Sequence, residues 1–145
     1  MNEKTFFSEE GDWKIDGIYF EGNEKSLIAE GSISVAKQSD VTKITLMINY
    51  HKEEKKLKEI VHQVIQTKNS HGFKLESNHS DIGNVIGHIL ITDDNHIVIF
   101  ESQDKAYTGS EYFKKINDDF YKNRGIIYKG KEQYSSWSFE LRRNK

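Results

Sequence analysis

The sequence predicts an all-β protein, a single up-and-down antiparallel barrel of about ten strands within 145 residues. Three observations predict it. Short runs alternate apolar and polar side chains with the period of two that sets one strand face in a core and the other in water. Clusters of Gly, Asn and Asp separate those runs at hairpin spacing. Strands do not alternate with long helical patterns, which argues against a parallel α/β sheet. A meander of this length must deal with its two exposed edges, and closing into a barrel removes them.

The elements follow in order. Trp13, Ile15, Gly17 and Tyr19 share one face of the first run, with Lys14 and Asp16 on the other, and Gly22-Asn23-Glu24-Lys25 forms a turn. In the second run, Leu27, Ala29, Gly31, Ile33 and Val35 oppose Glu30, Ser32 and Ser34. In the third, Ile44, Leu46, Ile48 and Tyr50 oppose Val41, Lys43 and Thr45. The mixed charges from Lys52 to Lys58 read as a solvated hairpin tip. Leu57 to Thr67 fits a helical stripe through Leu57, Ile60, Val61, Val64 and Ile65. Its β-branched content and flanking strands favour a strand, and a helix there would make the fold α+β.

Gly72 to Ser77, Val85 to Thr92 and His96 to Ser102 come next, the last two joined at Asp93-Asp94-Asn95. Those two are apolar at nearly every position, so either both of their faces are covered or the strands are central in the sheet. Tyr107 to Lys115, Ile126 to Lys129 and Tyr134 to Arg143 complete the set, with turns at Asn123-Arg124-Gly125 and Gly130-Lys131-Glu132.

Composition narrows the function classes. The chain has no Cys and no Pro, where ordinary usage would place about seven prolines. Lack of Cys excludes disulfides, Cys-ligated zinc, iron–sulfur clusters and a Cys nucleophile. Lack of Pro suits continuous ladders, in which Pro is confined to edges and bulges. A net charge of −2 argues against nucleic-acid binding. The polar, acidic start, broken only by Phe6-Phe7, lacks the apolar core of a signal peptide. Val85 to Ile91 is too short to span a bilayer. One cytoplasmic domain over residues 1–145, soluble and without a membrane partner, is the expectation.

Gly11-Asp12-Trp13 opens the first strand, and Trp137-Ser138-Phe139-Glu140-Leu141-Arg142-Arg143 ends the last on a basic pair. Together these resemble the lipocalin and calycin barrels. The resemblance implies that Gly11 and Trp13 meet a terminal Arg whose guanidinium stacks on the indole and seals one barrel end. Parity assigns that role to Arg143, which shares a face with Trp137, Phe139 and Leu141. No sub-family is indicated. The disulfide of secreted lipocalins and the helical lid of fatty-acid-binding proteins are missing, Arg124 and Tyr128 have the wrong spacing for a carboxylate pair, and no His follows His96 to serve as a late haem ligand.

Candidate site residues come from parity and side-chain type. Tyr19, Tyr50, Phe73, Phe100, Tyr128 and Trp137 suit a cavity wall, with plain core filling as the alternative. Glu111 shares a face with Tyr107, Gly109 and Phe113. If that face is inward, its carboxyl must be paired or protonated, whereas a bulge at Gly109 would turn it outward. Glu101 poses the same question. His88, inside an apolar run, is a further interior candidate. The histidines lack metal-ligand spacing on any one element; His71 and His79 flank the fifth run, where convergence with Asp81 on a metal is the alternative to the preferred reading of hydrated loop histidines, so no metal site and no cofactor are expected.

The function read from the sequence is non-catalytic binding of a small, largely apolar molecule inside the barrel, oriented by His88, Glu111 and Tyr128. One alternative is a small scaffold with a dry core that works through its surface, as a monomer or homodimer. The other is an enzyme using an interior His or Glu for proton transfer, and a non-catalytic role is favoured over it.

Overall fold

The computed structural model describes residues 5–22, 26–51, 56–66, 72–93 and 95–144. Every regular element among them is a strand: β1 Gly11–Glu21, β2 Ser26–Gln38, β3 Val41–His51, β4 Lys56–Gln66, β5 Gly72–His79, β6 Gly83–Thr92, β7 Asn95–Ser102, β8 Tyr107–Asn117, β9 Phe120–Lys129 and β10 Glu132–Arg143. Each pairs antiparallel with the next, and β1 pairs with β10, so the sheet closes into a barrel without edges. Tight turns permit this. Ser39 (φ 52°), Asp93 (φ 54°) and Gly130 (φ 61°) take the left-handed conformation that short hairpin turns demand.

Of the Leu57 to Thr67 segment, residues 57–66 lie in strand β4, held between β3 and β5, so the helical stripe is coincidental; Thr67 lies outside the described residues. Two expectations are corrected. Asn123-Arg124-Gly125 is not a turn but mid-strand in β9, and the preceding turn is Asp118-Asp119. Gly125 reads as a breaker, yet a Cβ there would overlap the Trp137 ring, which takes up the space of the missing side chain. Gly109 serves Phe100 in the same way, whereas a Cβ at Gly17 would first meet the Ser138 carbonyl of the neighbouring strand. Aromatic rings thus lie flat on the inner wall where a neighbouring strand carries glycine. The second correction concerns β6 and β7, whose outer faces are uncovered: Ile86, Leu90, Ile97 and Ile99 are all exposed.

The barrel has one plugged end and one open end. At the plugged end Trp13 is fully buried beneath Arg143, whose guanidinium carbon lies 4.5 Å from the centre of its ring. Arg143 also donates to the Asp119 carboxylate at 3.1 Å and to the Asp118 carbonyl at 3.3 Å, tying down the β8–β9 turn. Arg142 points outward and covers Phe120 at 4.1 Å. The segment before β1 completes the plug. Phe6 and Phe7 are buried, Phe6 stacking on Phe113 and on His96, and Phe7 meeting Phe73 edge-on. At the open end a bulge between Gln133 and Ser135 places Tyr134 at the rim.

Candidate functional site

Eight strands carry polar or aromatic side chains toward one interior space. On β4, alternation turns Lys58, Ile60, His62 and Val64 inward, and Lys58 is only 6 % exposed. In the β4–β5 register His62 stands opposite Ser77, and its Nδ1 is hydrogen-bonded to the Ser77 hydroxyl. His79 lies one pleat along β5, buried, and its Nδ1 has no hydrogen-bond partner among the described residues.

Across the barrel Glu111 faces inward, since β8 runs through Gly109 in unbroken register with β7. Gly125 stands opposite both Glu111 and Trp137, and its lack of a side chain lets the three strands share one polar chain. Trp137 Nε1 donates to Asn123 Oδ1 at 3.0 Å, and Asn123 Nδ2 donates to Glu111 at 2.9 Å.

Burial sets the protonation states. Loss of hydration pushes the Glu111 carboxyl up to about 7, against the hydrogen bonds from Asn123 and Trp137. It pushes His62 down to about 4, helped by the Lys58 charge, and His79 down to about 2, helped by His62 and Lys58. Near neutral pH the imidazoles are neutral and Glu111 is poised between acid and carboxylate. The interior therefore offers both donors and acceptors, and Glu111 has the pKa a proton-transfer group needs.

The enclosed space among these groups measures about 30 Å³, room for roughly one or two waters. A ready-made apolar cavity is therefore not present. More room lies just above, in a cavity of about 310 Å³ at the open end, bounded by Glu21, Asp81 and Tyr134. That size is where ligand sites begin, at roughly 300 Å³. Tyr19, Tyr50 and Lys58 wall both spaces. The two tyrosine rings stack at 4.0 Å, and the Lys58 ammonium lies 3.1 Å from the Asp81 carboxylate and 5.9 Å from the Tyr19 ring centre. Together they close the interior from the mouth. Burial drives the Tyr19 phenol up to about 12 and raises Tyr50 as well, so both rings stay uncharged.

Of the residues singled out from the sequence, Tyr19, Tyr50, Phe100, Glu111 and Trp137 meet around this interior. Phe73 is part of the plugged end, against Phe7. His88 and Tyr128 are corrected: both project from the outer surface, because Val85, Gly87 and Ile89 take the inner face of β6 and Gly125 and Ile127 that of β9. Glu101 is also outside. Lys58, His62, Ser77 and Asn123 were not anticipated. The Lys58 charge hid it among hairpin lysines, and Asn123 was taken for a turn residue. His79 is interior rather than a hydrated loop residue, and Asp81 pairs with Lys58. His71 lies outside the described residues. Among the described residues no three metal-ligating side chains are grouped, and no helix is long and apolar enough to cross a membrane.

No protein-family model and no curated protein sequence matches the chain. Among solved structures, the S-type phycobiliprotein lyase of Guillardia theta superposes with a TM-score of 0.68 at 12 % identity, covering 97 % of this chain and 90 % of its own. An N-terminal dehydratase from the difficidin assembly line reaches a TM-score of 0.30 at 9 % identity over 97 % of this chain and 80 % of its own. The first likeness is one of fold, and with the closed meander it makes this chain a ten-stranded barrel of the lipocalin-like type.

Proposed function

We propose that the protein binds a small molecule non-covalently at the open end of the barrel, the ligand's body entering only as Tyr19, Tyr50 and Lys58 move aside and the interior, with room for one or two waters at rest, expands around it. The observation that carries this reading is the set of buried polar groups beneath an aromatic gate. Burying Lys58, His62, Ser77, His79 and Asn123 costs hydration that an all-aliphatic core avoids. A dry scaffold has no use for that arrangement, whereas a binding site mixes apolar walls with a few convergent polar groups. The ligand's body is apolar, to suit Phe100, Phe139 and Trp137, and its edge carries hydrogen-bonding atoms for His79 and Glu111. The test is a two-dimensional NMR titration with a panel of aromatic fragments. Fragments that bind are expected to shift the Trp137 indole N–H and the His79 ring signals together. A panel that moves neither at saturating concentration overturns the proposal.

One observation favours a second role for the surface. A groove of about 510 Å³ runs down the outside between Ile86, Ile99, Ile126 and Tyr128, over the small side chains of Thr108 and Ser110. Ile86 and Ile99 are 49 % and 57 % exposed, and contiguous apolar surface of this kind marks interaction sites. Light scattering is expected to show a concentration-dependent dimer that Ile99→Lys returns to monomer. A wild-type protein that stays monomeric at every concentration rules this role out.

A further inference from the structure

We propose that the ligand is a flat aromatic monoanion whose charged group replaces Asp81 as the partner of Lys58. This rests on the binding reading above and names the class of molecule that the same site takes.

The two members of the Lys58–Asp81 pair differ in mobility. Lys58 projects from the barrel wall, and its side chain is 8 % exposed. It cannot carry its ammonium into water without leaving the interior, and a buried charge must keep a partner. Asp81 belongs to the turn between β5 and β6, and its side chain is 26 % exposed. Its remaining contacts are light: Oδ1 accepts from the Ile82 N–H at 3.0 Å, and Oδ2 accepts from the Tyr134 hydroxyl at 3.4 Å. Asp81 can return to solvent, and an incoming anion can take its place with no net change in buried charge. In the free protein Asp81 occupies the position of a ligand's charged group.

The walls select shape and charge number. Tyr19 and Tyr50 flank the ammonium with stacked rings, and Trp137, Phe100 and Phe139 lie flat against the wall below. Planar faces of this kind favour a planar body, which stacks where a branched chain would not. The buried imidazoles are neutral and Glu111 supplies no positive charge, so Lys58 is the one cation among the described residues lining the interior. A neutral ligand would leave the Lys58–Asp81 pair in place and gain nothing from the ammonium, and a dianion would bring a second charge with nothing to balance it. The open Nδ1 of His79 then faces the edge of the bound ring system.

The test uses two probes of nearly equal shape, 2-naphthoate and 2-naphthamide, titrated calorimetrically into the full chain. The wild type is expected to bind naphthoate about tenfold more tightly or better, the usual gain of a hydrogen bond to a charged group. Lys58→Met should abolish that preference, bringing the two affinities together. Asp81→Asn removes the internal competitor and leaves the Lys58 ammonium without its carboxylate, so it should tighten naphthoate selectively and lower the melting temperature of the unliganded protein. Equal affinity for the two probes in the wild type overturns the anionic class and leaves the binding reading standing. So does a preference for naphthoate that survives Lys58→Met. If neither probe binds, or if Ile99→Lys on the outer groove abolishes binding, the barrel-mouth reading falls as well.

Discussion

Lowering the pH from neutral to about 4.5 is expected to unfold the protein cooperatively, because two deeply buried histidines must stay neutral in the fold. His79 is 6 % exposed and His96 1 %. Burial pulls their pKa values from 6.5 to about 2 and about 3. His96 is enclosed by the rings of Phe6, Phe7, Phe113 and Tyr121, with no carboxylate among them. Since the folded pKa lies below the unfolded one, the unfolded chain takes up the extra protons, and stability falls as the pH drops below 6.5. At pH 4.5 each histidine costs about 2.7 kcal/mol, so the pair removes about 5 kcal/mol from a total that is typically about 5–15 kcal/mol. His62, lowered to about 4, acts in the same direction.

Glu111 acts in the opposite direction. Its folded pKa of about 7 lies above the ordinary 4.5, so its contribution is complete in acid and is lost as the pH rises through 7. Glu111→Gln should therefore raise the melting temperature at pH 8 and have little effect at pH 5. Circular dichroism from pH 8 to 3 checks both arms. A fold that persists unchanged at pH 3.5 would contradict the neutral-histidine core, and His96→Phe should move the acid transition to lower pH.

Trp13→Ala should destabilise the fold by about 3–5 kcal/mol, the cost of emptying a large aromatic site in a core. Trp13 has no exposed surface and meets Arg143, Phe6 and Tyr121 at once. Removing it leaves the Arg143 guanidinium without its stacking face and opens the plugged end beside His96. For a chain of this size the loss corresponds to a melting temperature lower by roughly 10 °C. Arg143→Ala, at a partly exposed position, should cost about 1 kcal/mol, in the range of a cation–π contact. Thermal denaturation measures both, and a Trp13→Ala melting temperature within a few degrees of wild type would show that the end does not depend on the indole.

Strand parity was legible wherever one face is apolar and the other polar. The alternation of Leu27, Ala29, Gly31, Ile33 and Val35 against serines and a glutamate leaves one solution, and β2 adopts it. Parity failed where both faces are apolar. In β6 the inward Val85, Gly87 and Ile89 are no more hydrophobic than the outward Ile86 and Leu90, so pattern alone could not place His88. Ile126 and Ile127 left Tyr128 equally open. Lys58 was hidden for a different reason. Its burial depends on Asp81, a turn residue 23 positions away, and no local pattern reports a partner brought in by the closing of a barrel. Gly125 was read as a breaker because the sequence does not show the ring that lies across it.

The two tryptophans sit at different levels of the barrel, Trp13 in the plug and Trp137 on the interior wall, and this makes the molecule its own two-channel optical probe. Trp13, sealed among Phe6, Tyr121 and Arg143, senses no guest, so its emission should report only whether the chain is folded. The Trp137 indole forms part of the inner wall and donates to Asn123, so its emission should change when a guest arrives. Trp13→Phe and Trp137→Phe separate the two signals, and unlabelled protein can then be followed for loading and for unfolding in the same cuvette.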